Sequence, residues 1–145
     1  MTKLLGSLTL ALALTLSLTT RSAWADDRNG QLHVTKECSQ DKGAAGDHCT
    51  ITSSNLDEIK VGSKVFYDQA AGIPAGLLDS NVVLDAGNGN RAVGRCTLDF
   101  TTALGLCTFS DGTGQFTGFT ARVNVDCRSV CRWDGTYSFK SEPER

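Results

Sequence analysis

From Arg91 to Phe139 the chain alternates apolar and polar residues, punctuated by glycine. In Phe119-Thr120-Ala121-Arg122-Val123-Asn124-Val125 the odd positions are apolar and the even ones polar. Successive side chains of a strand point to opposite faces, so Phe119, Ala121, Val123 and Val125 are expected to face a core. On Arg91–Phe100, Ala92, Gly94, Cys96, Leu98 and Phe100 share one face, and Arg91, Arg95, Thr97 and Asp99 share the other. On the last strand Trp133, Gly135, Tyr137 and Phe139 share a face. Gly87-Asn88-Gly89-Asn90 carries an Asn-Gly turn signal, and Asn81–Phe100 therefore reads as a hairpin. Further strands are expected at Gln31–Thr35, Asp47–Ser53, Lys64–Asp68, Leu104–Ser110, Gln115–Asp126 and Arg132–Lys140, with loops at 39–46, 56–62 and 70–78.

After the first 25 residues no window shows a 3.6-residue apolar period. Some eight short strands separated by turns predict an all-β domain. A closed eight-stranded antiparallel β-barrel leaves no exposed edge and can hold one small ligand. A disulfide-rich sandwich is the alternative. The inward set mixes small residues (Gly94, Ala121, Gly135) with aromatics. That mixture fits a ligand cavity or close packing.

The opening segment stands apart. Lys3 precedes an apolar run from Leu4 to Thr20, interrupted by Gly6, Ser7, Thr9, Thr15 and Ser17. Ala23-Trp24-Ala25 then supplies a small-residue cleavage site. The segment reads as a signal peptide spanning residues 1–25, with one mature domain from 26 to 145 that is secreted or periplasmic. A membrane span would need about 20 unbroken apolar residues. Cleavage removes Lys3 and Arg21, leaving twelve basic residues against sixteen acidic ones, a net charge of −4. With the cations dispersed, a nucleic-acid partner is not expected, nor is membrane insertion after cleavage.

Export gives the six cysteines an oxidising context. Six cysteines allow fifteen pairings, but Cys96 and Cys107 flank the middle of a hairpin and Cys127 and Cys131 bracket a short turn. Nearest-neighbour bridges are therefore expected: Cys38–Cys49, Cys96–Cys107 and Cys127–Cys131. A zinc site at Cys127 and Cys131 would want a second close pair or a histidine, and neither accompanies them.

Catalytic signatures are few. His33 and His48 have no motif around them, and no H-E-x-x-H, P-loop or G-x-S-x-G pattern occurs. Asp85, Asn88 and Asn90 lack the acidic ladder of a calcium loop and read as a hydrogen-bonded turn. No motif implies a cofactor or metal. The polar residues on or beside strands that could reach a barrel interior are Tyr67, Asp68, Asn81, Asp99, Arg122 and Tyr137. A desolvated carboxylate among them would serve as a general acid or base, and Tyr or Asn would orient a carbonyl or hydroxyl.

Gly112-Thr113-Gly114-Gln115-Phe116-Thr117-Gly118-Phe119-Thr120-Ala121-Arg122-Val123 resembles the G-T-G-x-[FY]-x-G-[AF]-x-[AG]-x-V run of allene oxide cyclases and dirigent proteins. Trp133-Asp134-Gly135-Thr136-Tyr137-Ser138-Phe139 looks like the aromatic closing strand of the same barrel. The resemblance implies an eight-stranded antiparallel barrel that holds an apolar substrate in one conformation. As an enzyme it would be an isomerase or cyclase, or a protein directing the stereochemistry of a coupling, working by proximity and shape. It also implies a homo-oligomer. The family's plant catalytic residues have no counterpart to carry over, and three disulfides are not a plant cyclase feature. Two functions follow: a barrel binding a small apolar molecule, or a non-catalytic interaction module plugged by Phe66, Phe116, Phe119, Trp133 and Phe139. A cavity separates them.

Overall fold

The computed structural model describes residues 27–72 and 76–141, so the expected signal peptide and its cleavage site lie outside the described residues. Eight strands follow one another: β1 (Arg28–Glu37), β2 (His48–Ser54), β3 (Lys64–Tyr67), β4 (Leu77–Asp85), β5 (Arg91–Asp99), β6 (Leu104–Thr113), β7 (Phe119–Asp126) and β8 (Cys131–Phe139). Each pairs antiparallel with its neighbours in sequence, and β8 returns to β1 through nine residue pairs from Arg28↔Phe139 to Lys36↔Cys131. The expected antiparallel barrel is closed, and the sandwich alternative is excluded.

Alternation explains which side chains meet inside. Leu32, Val34, Ile51, Val65, Val82, Leu84, Ala92, Val123, Val125 and Trp133 are all buried, and every second residue between them on a strand points outward. Closure demands close backbone approach at some of these inward positions. A Cβ on Gly135 would sit 2.0 Å from the Arg122 carbonyl oxygen, and one on Gly105 would sit 1.9 Å from that of Thr97. No larger residue fits there.

The differences from the sequence reading lie at strand ends. β4 begins at Leu77 rather than Asn81, because alternation already runs through buried Leu78 and Ser80. β6 runs on to Thr113, with its register against β5 shifting between Val93 and Gly94. The expected strand from Gln115 starts instead at Phe119, because Gly114–Phe116 forms one 3₁₀ turn with Gly114 at φ 59°. That turn folds the wholly buried Phe116 back into the barrel end. Phe100 was expected inside but stands at the rim, 47% exposed.

All three expected disulfides are present: Cys38–Cys49, Cys96–Cys107 and Cys127–Cys131. Cys96 and Cys107 are direct cross-strand partners. Strand direction puts the loop segments 38–47, 68–72, 100–103 and 127–130 at one end, hereafter the mouth, and every bridge lies there. The bridges suit an oxidising environment. Among the described residues no helix is long and apolar enough to cross a membrane. At the other end the Asp85 carboxylate accepts the Gly87 N–H at 2.9 Å and pairs with Arg91 Nε at 3.0 Å, so the 85–90 segment is a hydrogen-bonded turn.

Candidate functional site

The barrel's two ends are filled differently. Away from the mouth the interior is aromatic: Phe109 lies 5.4 Å from Trp133 and 6.1 Å from Phe119 between ring centroids, and Phe119 lies 5.3 Å from Phe116 and 5.0 Å from Phe139. These rings close that end. Toward the mouth the inward positions become small or aliphatic, with Cys49, Leu78, Cys96, Leu98, Cys107 and Val125. Smaller side chains around the same circumference leave a cavity of about 900 Å³, bordered at the rim by Phe100 and Val130. Phe66, expected in the plug, points outward and stacks on His48 at 5.3 Å.

One charged side chain enters this apolar space. On β1 the inward parity runs Leu32, Val34, Lys36, and the register against β2 shifts between Thr35 and Lys36. The extra residue, Thr52, belongs to β2, so β1 keeps its alternation through Lys36 and its unbroken pairing with β8. Lys36 lines the cavity and is only 5% exposed. Its Nζ donates to Tyr67 Oη at 2.5 Å and sits 5.2 Å from the Tyr67 ring centroid and 5.0 Å from that of Trp133. Both rings present a cation-attracting face. None of the ion pairs among the described residues involves Lys36.

Burial pushes the Lys36 ammonium down to about 8, opposed only by the field of Asp41 in the loop above. Burial likewise pushes the Tyr67 phenol up, and Asp41 adds to that rise. Tyr67 is therefore a neutral hydroxyl over the physiological range. Trp133 Nε1 is buried without a hydrogen-bond partner.

Of the six residues singled out from sequence, only Tyr67 borders the cavity. Asp68 is exposed beyond β3, its Oδ1 3.0 Å from Ser80 Oγ. Asn81 faces outward and accepts from Arg95 Nη1 at 3.1 Å. Asp99 accepts the Thr101 N–H at 2.7 Å and so shapes the β5–β6 turn. Arg122 lies exposed on the outer face of β7. Tyr137 is half-buried at the plugged end, 6.0 Å from the Phe139 ring and against Gly30. The two histidines also lie outside the cavity, with His33 Nδ1 2.7 Å from Asp134 Oδ1 on the outer surface. The sequence reading missed Lys36, although the alternation of β1 carries it inward.

Fold and cavity together define a closed, disulfide-bonded antiparallel barrel that is plugged at one end and hollow at the other. No known family model, curated protein or solved structure matches the chain.

Proposed function

We propose that the protein is an exported barrel that takes a small, largely apolar molecule through its disulfide-lined mouth. The observation that carries this reading is the cavity of about 900 Å³, walled by aliphatic side chains and cystines with one polar pair at its floor. Its volume falls within the ~300–1,000 Å³ of small-molecule sites, which likewise combine apolar walls with few polar groups. The expected signal peptide and the three bridges support export. The resemblance to allene oxide cyclases and dirigent proteins supports an isomerase, cyclase or stereochemistry-directing role, in which the walls hold one conformation of a reactive molecule. In the competing reading, a plugged interaction module, aromatic side chains fill the whole barrel; here Phe109, Phe116, Phe119 and Trp133 stop short of the mouth.

Titration of the mature protein with Nile red, a neutral apolar dye, tests this reading. Its emission is expected to rise and shift to the blue with saturable, micromolar binding. Leu98→Trp, which adds bulk on the cavity wall, should weaken binding at least about tenfold, ~1.4 kcal/mol, with the far-ultraviolet dichroism unchanged. Absence of saturable uptake, or equal uptake by the filled variant, would count against the cavity as the binding site.

A further inference from the structure

We propose that Lys36 is a nucleophilic amine that captures an apolar aldehyde or ketone as an imine at the cavity floor, with Tyr67 handling the proton. The inference rests on the reading of the cavity as a small-molecule site and adds to it a reaction and a substrate class.

Three observations carry it. Lys36 lines the cavity, yet the residue is almost wholly buried. Its hydrogen-bond partner is an uncharged phenol, and none of the ion pairs among the described residues involves it. The unbroken alternation of β1, Leu32, Val34, Lys36, carries it into a space otherwise lined mostly by apolar groups. A lysine serving only as a structural cation would be expected to face a carboxylate, and one serving solubility would be in water.

An amine in these surroundings loses its proton readily. The titratable groups around it are Tyr67 on β3, Asp41 and Lys42 in the loop over the mouth, and Glu37 at the rim; β2 and β8 present Cys49, Cys131 and Trp133. With the ammonium lowered to about 8, roughly a tenth is neutral amine at pH 7, against about one part in 3,000 for an ordinary lysine.

The chemistry balances without an oxidant or reductant. The ammonium first releases its proton to solvent through the mouth. The nitrogen lone pair attacks the carbonyl carbon, and the C=O π pair moves to oxygen. Proton transfer from nitrogen to that oxygen gives a neutral carbinolamine. Tyr67 then donates its proton to the carbinolamine hydroxyl, which leaves as water while the nitrogen lone pair forms C=N. The iminium N–H returns the proton to the Tyr67 oxygen. One amine and one carbonyl become one imine and one water. The cavity favours this class of partner because a carbonyl brings no charge to desolvate, and imine formation removes the buried charge already there.

The test is reductive trapping of decanal on the mature protein with sodium cyanoborohydride, read by peptide mass spectrometry. At pH 7 and limiting aldehyde, Lys36 is expected to acquire the decyl group at least tenfold faster than exposed Lys60, Lys64 and Lys140. Its rate should level off above about pH 8, while the surface lysines continue to gain. Decan-1-ol should protect Lys36 alone, and Tyr67→Phe should slow its labelling severalfold. Labelling of Lys36 no faster than the surface lysines, with Nile red still entering and displaced by decan-1-ol, would overturn the imine and leave the binding reading standing. Failure of Nile red to enter would remove both.

Discussion

Reduction of the three disulfides is expected to unfold the barrel, beginning at its mouth. Two bridges span 11 residues of chain and the third spans 4, so the loops they close are short. By loop-closure entropy each contributes about 2–3 kcal/mol, together roughly 7 kcal/mol. A small domain has only about 5–15 kcal/mol of stability in all. The aromatic end has packing of its own, in the Phe109, Phe116, Phe119 and Trp133 cluster. The mouth surrounds empty volume, and the bridges there stand in for core contacts that an apolar plug would make. Thermal melts followed by far-ultraviolet dichroism, with and without a phosphine reductant, should show the midpoint fall by tens of degrees. A midpoint unmoved after complete reduction, verified by mass, would show that the hollow end holds itself together.

Lys36→Met is expected to stabilise the folded protein near neutral pH by about 1 kcal/mol, an unusual sign for a core substitution. The Lys36 ammonium is lowered from 10.5 in the unfolded chain to about 8 in the barrel. Below about 8 both states carry the proton, and the folded state bears the full penalty of a buried charge. Between about 8 and 10.5 the unfolded chain binds more protons than the folded one, so wild-type stability rises with pH across that window. The interval corresponds to roughly 3 kcal/mol, from which the loss of the Tyr67 hydrogen bond and the two ring contacts subtracts. Methionine keeps the length and apolar stem without the charge. Urea unfolding at pH 7 and pH 10 should show the variant's advantage at the lower value and its loss at the higher. A less stable variant at pH 7 would mean that the contacts to Tyr67 and Trp133 more than offset burial.

Strand parity made much of the fold legible. Phe119, Ala121, Val123 and Val125 are buried as their alternation requires, and Cys96 meets Cys107 across the hairpin their spacing describes. The same parity bears on the site. Asn81, Asp99 and Arg122 stand one position from inward Val82, Leu98 and Val123, so alternation already directs them outward. Lys36 shares the parity of Leu32 and Val34, but it lies one residue beyond the strand end expected at Thr35, where a charged side chain looks like the start of a loop. The cavity itself was not legible. It depends on which residues of eight strands stand at the same height, and the closing register of β8 on β1, with the shifts at Thr35/Lys36 and Val93/Gly94, is written in no single segment. The 3₁₀ turn at Gly114 was hidden for a related reason: its role is to seat Phe116 against an inward-facing Gly112 that belongs to the preceding strand.

The most direct test of the central claim, that the hollow end is a small-molecule site, is an amide NMR titration of the isotopically labelled mature protein with decan-1-ol. The account predicts saturable shifts at Lys36, Tyr67, Leu98, Phe100, Val125 and Val130, around the cavity and its rim, with Gly114 to Phe119 at the plugged end unmoved. Shifts gathered at the plugged end or on the outer face around Asn81 and Arg95, or no saturable shifts at all, would contradict it.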